Sequence, residues 1–429
     1  MVSRRIVPFV TLLYFVSFLD RVNVGFAAVT MNRALGLSGE LFGLGAGIFF
    51  LGYAGFEVPS NLILDRVGPR LWIARVMITW GVVSGLTAFV EGPRSFILAR
   101  FMLGLAEAGF FPGIVLYLSR WFPRARLGTV GAVFMVAAPL ASTVGSPVSA
   151  ALMQLHGVFG LQGWQWLFLM EALPSLLLGV ACLWFLTDEP SQAAWLPAAE
   201  RDWLVGVLAR ERAERADGGN HVGVAAALRD RRVLLLGAIY LGTSVGLYVV
   251  GIWTPLLLSG AGVGLWNIGW LGALINVVAV IGMVWWARRS DRRRERFFHV
   301  ALACLVAAAG LLLAGLAMRT QAAGAGPQPF LVPLLVLSLA LANLGVNAAK
   351  PPLWTLPPSF LDGAGAAAGI ALINSLGTLG GAVGPLLIGL FRHGAETGSG
   401  GFLTASGILL ASALLVWPLR RWLKGPAPS

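Results

Sequence analysis

The 429-residue sequence is poor in charged residues, cysteine and histidine. Asp, Glu, Lys and Arg make up 12% of it, hydrophobic residues make up 57%, and the mean hydropathy is +0.80. Soluble domains are about 45–50% apolar, so this composition excludes a soluble protein and indicates an integral membrane protein. The two cysteines, Cys182 and Cys304, lie far apart in apolar stretches and predict no disulfide framework.

Motifs for metal binding and catalysis are also missing. The histidines have no metal-ligand spacing, so we expect no metal site and no cofactor; they are His156, His221, His299 and His393. The sequence contains no GxxxxGK(S/T), GxSxG or HExxH pattern. We therefore predict that the protein is not an enzyme and has no ATPase site of its own.

Twelve hydrophobic stretches are present, each of about 20 residues, the length that crosses roughly 30 Å of hydrocarbon as a helix. They cover approximately residues 6–29, 42–64, 71–90, 95–119, 127–153, 165–187, 233–257, 265–287, 298–318, 330–355, 364–391 and 401–422. We predict an all-α membrane protein with 12 transmembrane helices. The first stretch holds Asp20 and Arg21 and lacks a small-residue cleavage site, so we expect it to remain in the mature protein.

The net charge of +12 comes from unevenly distributed basic residues. With the N-terminus in the cytoplasm, 23 of the 31 Lys and Arg residues fall on the cytoplasmic side and four on the opposite side. This asymmetry follows the positive-inside rule. It predicts a multi-pass protein of a bacterial-type inner (plasma) membrane, with both termini cytoplasmic, surrounded by lipid and without a nucleic-acid partner.

One long hydrophilic segment, 188–232, divides the hydrophobic stretches six and six. Sequence features recur across it: Asp291 lies 226 residues after Asp65, and Pro385 lies 238 residues after Pro147. Duplicated halves are typical of transporter folds. We predict two pseudo-symmetric six-helix bundles joined by a cytoplasmic connector, with boundaries at 1–190, 191–232 and 233–429.

Four ionisable residues lie within the predicted spans of the first half. Asp20 and Arg21 are adjacent in span one, and Arg100 and Glu107 share one face of span four because they are seven residues apart. Such groups cost roughly 2.5–3.5 kcal/mol each at membrane depth and persist where a partner or cavity receives them. An anion that competes for the arginines would free a carboxylate to bind a proton. The alternative is a permanent ion pair that holds spans one and four together.

The turn after span two, Asp65-Arg66-x-Gly68-x-Arg70, resembles the signature of the major facilitator superfamily, although Asn61 stands where the family has glycine. Other passages resemble its anion:cation symporter branch, which includes permeases for tartrate, phthalate and sugar acids. These passages are Asp20-Arg21-x-Asn23, 52–61, 100–113 and 163–171.

The resemblance implies a secondary active transporter that works by alternating access as a monomer, importing an organic carboxylate anion with a proton and using the proton gradient as its energy source. By this resemblance, Asp20 and Glu107 are protonation sites, Arg21 is the substrate anchor, and Arg100 is a substrate-site residue that acts as a charge-balancing or gating partner. Further candidates for the substrate-binding walls are Tyr53, Trp354, Asn374 and Thr378. Candidates for cytoplasmic gating contacts are Asp65, Arg66 and Asp291.

Several interpretations stay open. Glu57, Arg75 and Glu171 are interpreted as structural charges, and Glu57 as a partner for an Arg of an adjacent loop. The apolar middle of span five, 135–140, favours an aromatic or short-chain carboxylate over a sugar acid as the substrate. The alternatives to proton-coupled import are an anion exchanger or passive facilitator of the same fold, and more distantly a non-transporting sensor.

Overall fold

The structure is a computed structural model that describes residues 1–217, 228–322, 330–361, 363–392 and 398–424. Those residues form α-helices, short 3₁₀ turns and no strand. In chain order the helices are α1 (Val2–Ala34), α2 (Gly39–Val67), α3 (Pro69–Leu86), α4 (Pro93–Glu107), α5 (Phe110–Trp121), α6 (Arg124–Met135), α7 (Ala137–Met153), α8 (Gly163–Phe185), α9 (Ala198–Asp217), α10 (Arg231–Gly260), α11 (Leu265–Arg293), α12 (Phe297–Ala322), α13 (Leu331–Trp354), α14 (Gly363–Leu390) and α15 (Ser399–Lys424). Part of the predicted connector, 218–227, lies outside the described residues, as do His221 and His393.

Twelve helical segments of the described chain are long and apolar enough to cross a membrane. They follow the twelve predicted stretches in order, so the predicted all-α architecture with 12 spans is confirmed. Helices suit these sequences because lipid offers the backbone no hydrogen bonds, and a helix satisfies its own. Two spans are each built from two helices: α4 and α5 form the fourth, and α6 and α7 form the fifth.

The fourth span is interrupted directly after Glu107. Gly109 has a left-handed backbone with φ 82°, which glycine adopts without steric cost. Pro112, in the first turn of α5, has no N–H to offer the carbonyl of Ala108 four residues earlier. The Ser60 hydroxyl of α2 donates to that carbonyl instead, at 2.7 Å. The break therefore has its own hydrogen bond, and the sequence analysis, which predicted one continuous span, did not anticipate it.

The described helices group into two compact units. The first comprises 1–23, 51–145 and 152–219, and the second comprises 24–50, 146–151 and 220–429. These units differ from the predicted bundles, since they place the end of α1 and the start of α2 with the second half of the chain.

Small residues explain why those segments pack within the second unit. A Cβ on Gly25 of α1 would lie 2.5 Å from the carbonyl oxygen of Ile252 in α10, and one on Gly43 of α2 would lie 2.6 Å from that of Pro385 in α14. Helices in membranes approach each other closely where such residues meet. The rest of this unit packs around a buried apolar cluster from α10, α12, α13, α14 and α15, which includes Leu236, Cys304, Leu353, Ile373 and Val416.

Candidate functional site

The first unit contains a buried ion pair between Arg21 of α1 and Glu107, the last residue of α4. Arg21 Nε lies 2.6 Å from Glu107 Oε1, and the two side chains are 10% and 1% exposed. The ring of Tyr53 in α2 lies beneath the guanidinium, with its centroid 5.0 Å from Cζ, in a cation–π arrangement. The structure thus joins three residues that the sequence analysis proposed for the same site.

Arg100 is 1% exposed and lies two turns before Glu107 on the same helix. It attracts both Glu107 and Asp20 electrostatically. The predicted grouping of two acids and two bases is therefore present within one unit. Its roles in proton and substrate binding stay predictions.

Asp20 does not share its neighbours with Arg21, although the two residues are adjacent in the chain. Consecutive residues on a helix point about 100° apart, so Asp20 faces α3 and α8 instead of α4. Its carboxylate, 2% exposed, accepts hydrogen bonds from Trp80 Nε1 at 2.5 Å, Ser84 Oγ at 3.0 Å and Ser175 Oγ at 3.2 Å. Asn23 Nδ2 donates to it at 3.3 Å. Every one of these donors is a neutral group.

Glu57 has a different environment from the one the sequence analysis gave it. Its side chain is buried and interacts electrostatically with Arg21. Because it lies one turn from Tyr53 on α2, it faces the Arg21 site. The interpretation of Glu57 as a partner for a loop arginine does not agree with this placement.

The remaining predicted substrate residues belong to the second unit. Trp354, at the end of α13, makes an edge contact with Tyr240 of α10 at 5.1 Å between ring centroids. Asn374 and Thr378 lie one turn apart on α14, and the Thr378 hydroxyl donates to the Asn374 carbonyl at 3.0 Å. The Thr378 hydroxyl therefore donates its hydrogen within its own helix.

The predicted gating residues lie at helix ends. Asp65, near the end of α2, pairs with Arg120 of α5 at 2.6 Å, and Asp291, near the end of α11, pairs with Arg296 at 2.5 Å. Arg66 is exposed. Both carboxylates are more than 60% exposed, so these pairs are surface contacts. No group of three or more metal-ligating side chains occurs in the described part of the chain.

The comparisons with known proteins agree with this architecture. The family model described as Major Facilitator Superfamily matches residues 10–385. The chain belongs to the major facilitator superfamily. This membership confirms the family resemblance found in the sequence, and it makes the protein a transporter, not an enzyme.

Two named relatives and one solved structure show the range of similarity of this major facilitator protein. It is 54% identical over 420 residues to the "Putative tartrate transporter" of Agrobacterium vitis, covering 98% of this chain and 90% of the relative. It is 36% identical over 418 residues to the "Quinolone resistance transporter" of Acinetobacter baumannii, covering 97% and 93%. The crystal structure of a D-xylose-proton symporter has a TM-score of 0.76 at 16% identity and covers 100% of both chains, which shows the shared fold.

Several polar residues of this major facilitator protein escaped the sequence analysis. Asn347 Nδ2 donates to Asn343 Oδ1 at 2.9 Å, and Asn343 Nδ2 donates to Asn276 Oδ1 at 3.0 Å, so a chain of three amides joins α13 to α11. Lys350 lies one turn after Asn347 in the same helix. The spacing of these amides and the lysine, three or four residues apart in an apolar helix, indicates a polar face and could have been recognised in the sequence. The Trp80, Ser84 and Ser175 partners of Asp20 carried no such signal, since they are 60 to 155 residues away from it.

Proposed function

We propose that this major facilitator protein imports an organic carboxylate anion together with a proton, and that its substrates are short dicarboxylates such as tartrate. The observation that carries the proposal is the buried Arg21–Glu107 ion pair at 2.6 Å. A guanidinium held by a carboxylate is matched in shape and charge to receive a different carboxylate. The name of the relative with 54% identity supports tartrate as the first substrate to test.

The ion pair suggests how anion binding is linked to proton binding. An incoming carboxylate that takes the guanidinium of Arg21 breaks the ion pair of Glu107, whose remaining cationic neighbour is Arg100. A carboxylate that is 1% exposed and has lost its hydrogen-bonded counter-charge binds a proton more readily, because burial disfavours its charged form. The anion and the proton then cross together. The energy comes from the proton gradient and requires no cofactor.

The aromatic side chains near Arg21 favour a substrate with few hydroxyl groups. Beside Arg21 lies the ring of Tyr53, and two turns earlier in α1 the ring of Tyr14 stacks on Phe134 of α6 at 4.5 Å between centroids. Such walls offer few hydrogen bonds to a polyhydroxylated sugar acid. This supports a short-chain or aromatic carboxylate over a sugar acid.

The test is uptake of labelled tartrate by the purified protein in liposomes with an acidic exterior. We expect accumulation that collapses with a protonophore, and loss of gradient-driven uptake in Glu107→Gln and Asp20→Asn. Glu91→Gln serves as the matched control, because Glu91 is exposed at a helix start. Equal uptake with and without the pH gradient would support the exchanger or facilitator instead.

A competition assay in the same liposomes distinguishes the candidate classes of substrate. Competition by unlabelled tartrate, a hexonate, an aromatic carboxylate and a quinolone ranks the ligands directly. We expect tartrate and other short dicarboxylates to compete best. Competition by the quinolone alone would overturn the carboxylate assignment in favour of the activity named for the relative with 36% identity.

We further propose that the protein resides in a bacterial inner membrane as a monomer, with both termini in the cytoplasm. The distribution of its basic residues supports this orientation. Ser3→Cys and His156→Cys, both at exposed positions, should react with a membrane-impermeant thiol reagent from opposite sides. The native Cys182 and Cys304 are buried and should give little background. Light scattering of the detergent-solubilised protein measures the mass of the protein particle and so tests whether it is a monomer.

A further inference from the structure

The two oxygens of the Asp20 carboxylate have different kinds of partner. Oδ2 accepts from the indole of Trp80 at 2.5 Å and from the hydroxyl of Ser175 at 3.2 Å. Oδ1 accepts from the hydroxyl of Ser84 at 3.0 Å and from the amide of Asn23 at 3.3 Å. All five side chains belong to the first unit, so the arrangement is internal to it.

On the Oδ2 side only the Ser175 hydroxyl could accept a hydrogen bond in return. An indole N–H only donates, so a proton on Oδ2 would turn the partner of Trp80 into a hydroxyl oxygen, which is a weaker acceptor than a carboxylate or carbonyl oxygen. The Oδ1 side can reverse, because a hydroxyl and an amide each offer both a donor and an acceptor. The partners of Oδ1 are therefore suited to both the ionised and the neutral carboxyl group.

Asn23 shows a second sign of such a reversal. Its side chain is fully buried, and its amide oxygen has no hydrogen-bond partner. Buried acceptors without partners are uncommon in folded proteins because they lose their bonds to water. The amide oxygen and nitrogen are nearly equal in size, so turning the amide by half a rotation exchanges them without changing the packing. After that turn the oxygen faces Asp20 as an acceptor.

The charged groups that act on Asp20 come from α4. Glu107 repels its charge and Arg100 attracts it. Arg21, its neighbour in the chain, is directed to Glu107. The groups that contact Asp20 from α3 and α8 are neutral, and the nearest acid along α8, Glu171, lies one turn before Ser175. The local hydrogen bonds therefore decide which oxygen of Asp20 can hold a proton, within the field of the two α4 charges.

We propose that Asp20 takes up the coupled proton on Oδ1, that Asn23 turns its amide to accept the resulting O–H, and that Trp80 keeps Oδ2 an acceptor throughout. The inference rests on the proposed proton coupling and assigns its atoms. A proton from the outer solution forms the Oδ1–H bond, the bond from Asn23 Nδ2 to Oδ1 is replaced by one from Oδ1–H to the Asn23 amide oxygen, and the proton leaves to the inner solution. Asn23 and Trp80 are positioning residues in this step.

The test compares the pH of half-maximal gradient-driven uptake in two variants whose shifts should have opposite signs. Trp80→Phe removes a bond that is stronger to the ionised carboxylate than to the neutral carboxyl group, so neutral Asp20 is favoured and the midpoint should move to higher pH. Asn23→Leu removes the donor of the ionised form, which is weak because it is long at 3.3 Å, together with the acceptor of the neutral form. The loss of the acceptor should dominate, so the midpoint should move to lower pH. Each shift should be about one pH unit, the effect of one such hydrogen bond. Asn23→Ala replaces the leucine variant if that variant does not fold.

Asn23→Thr is the conservative control, because its hydroxyl can donate and accept, and it should keep the wild-type midpoint. A shift to higher pH in Asn23→Leu would identify the amide as a donor only and overturn the inference, as would an unchanged profile. These outcomes differ from failure of the proposed function, in which the wild type itself shows no dependence on the pH gradient and Asp20→Asn transports normally.

Discussion

The two compact units treat polar groups at membrane depth differently. The first buries ionisable side chains, among them Asp20 and Glu107, and gives them partners of their own. In the second, the polar side chains inside the spans are mostly neutral, such as Asn343 and its amide neighbours. The sequence of its last six spans holds one acid, Asp291 at a helix end, and the span of α13 holds one cation, Lys350, one turn before its end. The comparison teaches that buried carboxylates are a property of the first unit among the described residues, while the last six spans of the second offer neutral hydrogen-bonding groups and Lys350.

The largest expected effect comes from breaking the ion pair of the first unit. Arg21→Gln leaves Glu107 buried without its hydrogen-bonded counter-charge and with Arg100 as its remaining cationic neighbour. Breaking a buried pair in this way costs about 3–5 kcal/mol of unfolding free energy. We expect a strongly lowered melting temperature in detergent and no tartrate uptake. Arg21→Gln combined with Glu107→Gln should regain most of the stability and none of the uptake. Arg94→Gln, at an exposed position, is the matched control, and equal melting of the single and double variants would contradict an energetic pair.

A smaller effect is expected at Lys350, the cation of the second unit. Its side chain lies within α13 one turn before the helix ends, and it is partly exposed. If Lys350 attracts the substrate anion by its charge, Lys350→Gln should raise the tartrate concentration for half-maximal uptake about tenfold, corresponding to roughly 1.4 kcal/mol, and Lys350→Arg should restore it. The pH profile should not change. A moved pH midpoint would show that the second unit shares in proton binding and would end the contrast between the units.

The amide chain of the second unit should contribute to stability more than to chemistry. Asn343→Leu removes the partner of both Asn276 and Asn347. Hydrogen bonds between membrane helices are worth about 0.6 kcal/mol on average and up to about 1.7 kcal/mol, so we expect a modest fall in melting temperature. Ser338→Ala, whose hydroxyl bonds only within α13 in the structure, is the control. A change in pH profile would assign the amides a part in coupling.

The smallest effect is expected at the exposed pair of Asp65 and Arg120. Exposed ion pairs contribute within about 1 kcal/mol, so Asp65→Asn should leave the melting temperature almost unchanged. If the predicted gating role is correct, the uptake rate should still change, because the contact then favours one conformation. Glu91→Gln controls for the loss of an exposed acid. An unchanged rate would leave the pair as a surface contact only.

The sequence predicted the helical spans better than it predicted which side chains contact each other between helices. Span length and apolar content are local properties, and all twelve spans were found from them. The partners of Asp20 could not be found in that way, because Trp80 and Ser175 reach it only after α3 and α8 have packed against α1. The different directions of Asp20 and Arg21 were predictable in principle, since adjacent helical residues point about 100° apart.

The break after Glu107 marks a second limit of prediction. Gly109 and Pro112 are visible in the sequence, but glycine and proline also occur inside continuous membrane helices. Pro147 and Pro385, for example, lie within α7 and α14. A break at Ala108 requires another helix to donate a hydrogen bond to its backbone carbonyl. The Ser60 hydroxyl donates that bond, and it belongs to a helix almost 50 residues earlier in the sequence.

That hydroxyl has a mechanical consequence. Ser60 Oγ donates to the Ala108 carbonyl and at the same time accepts from the indole of Trp72, at 3.0 Å, near the start of α3. One oxygen atom thus links α2, α3 and the interrupted fourth span, one residue beyond Glu107. A displacement of the turn between α2 and α3 would therefore act through the indole and the hydroxyl on the backbone that carries the glutamate. These two hydrogen bonds couple the position of that turn to the position of Glu107.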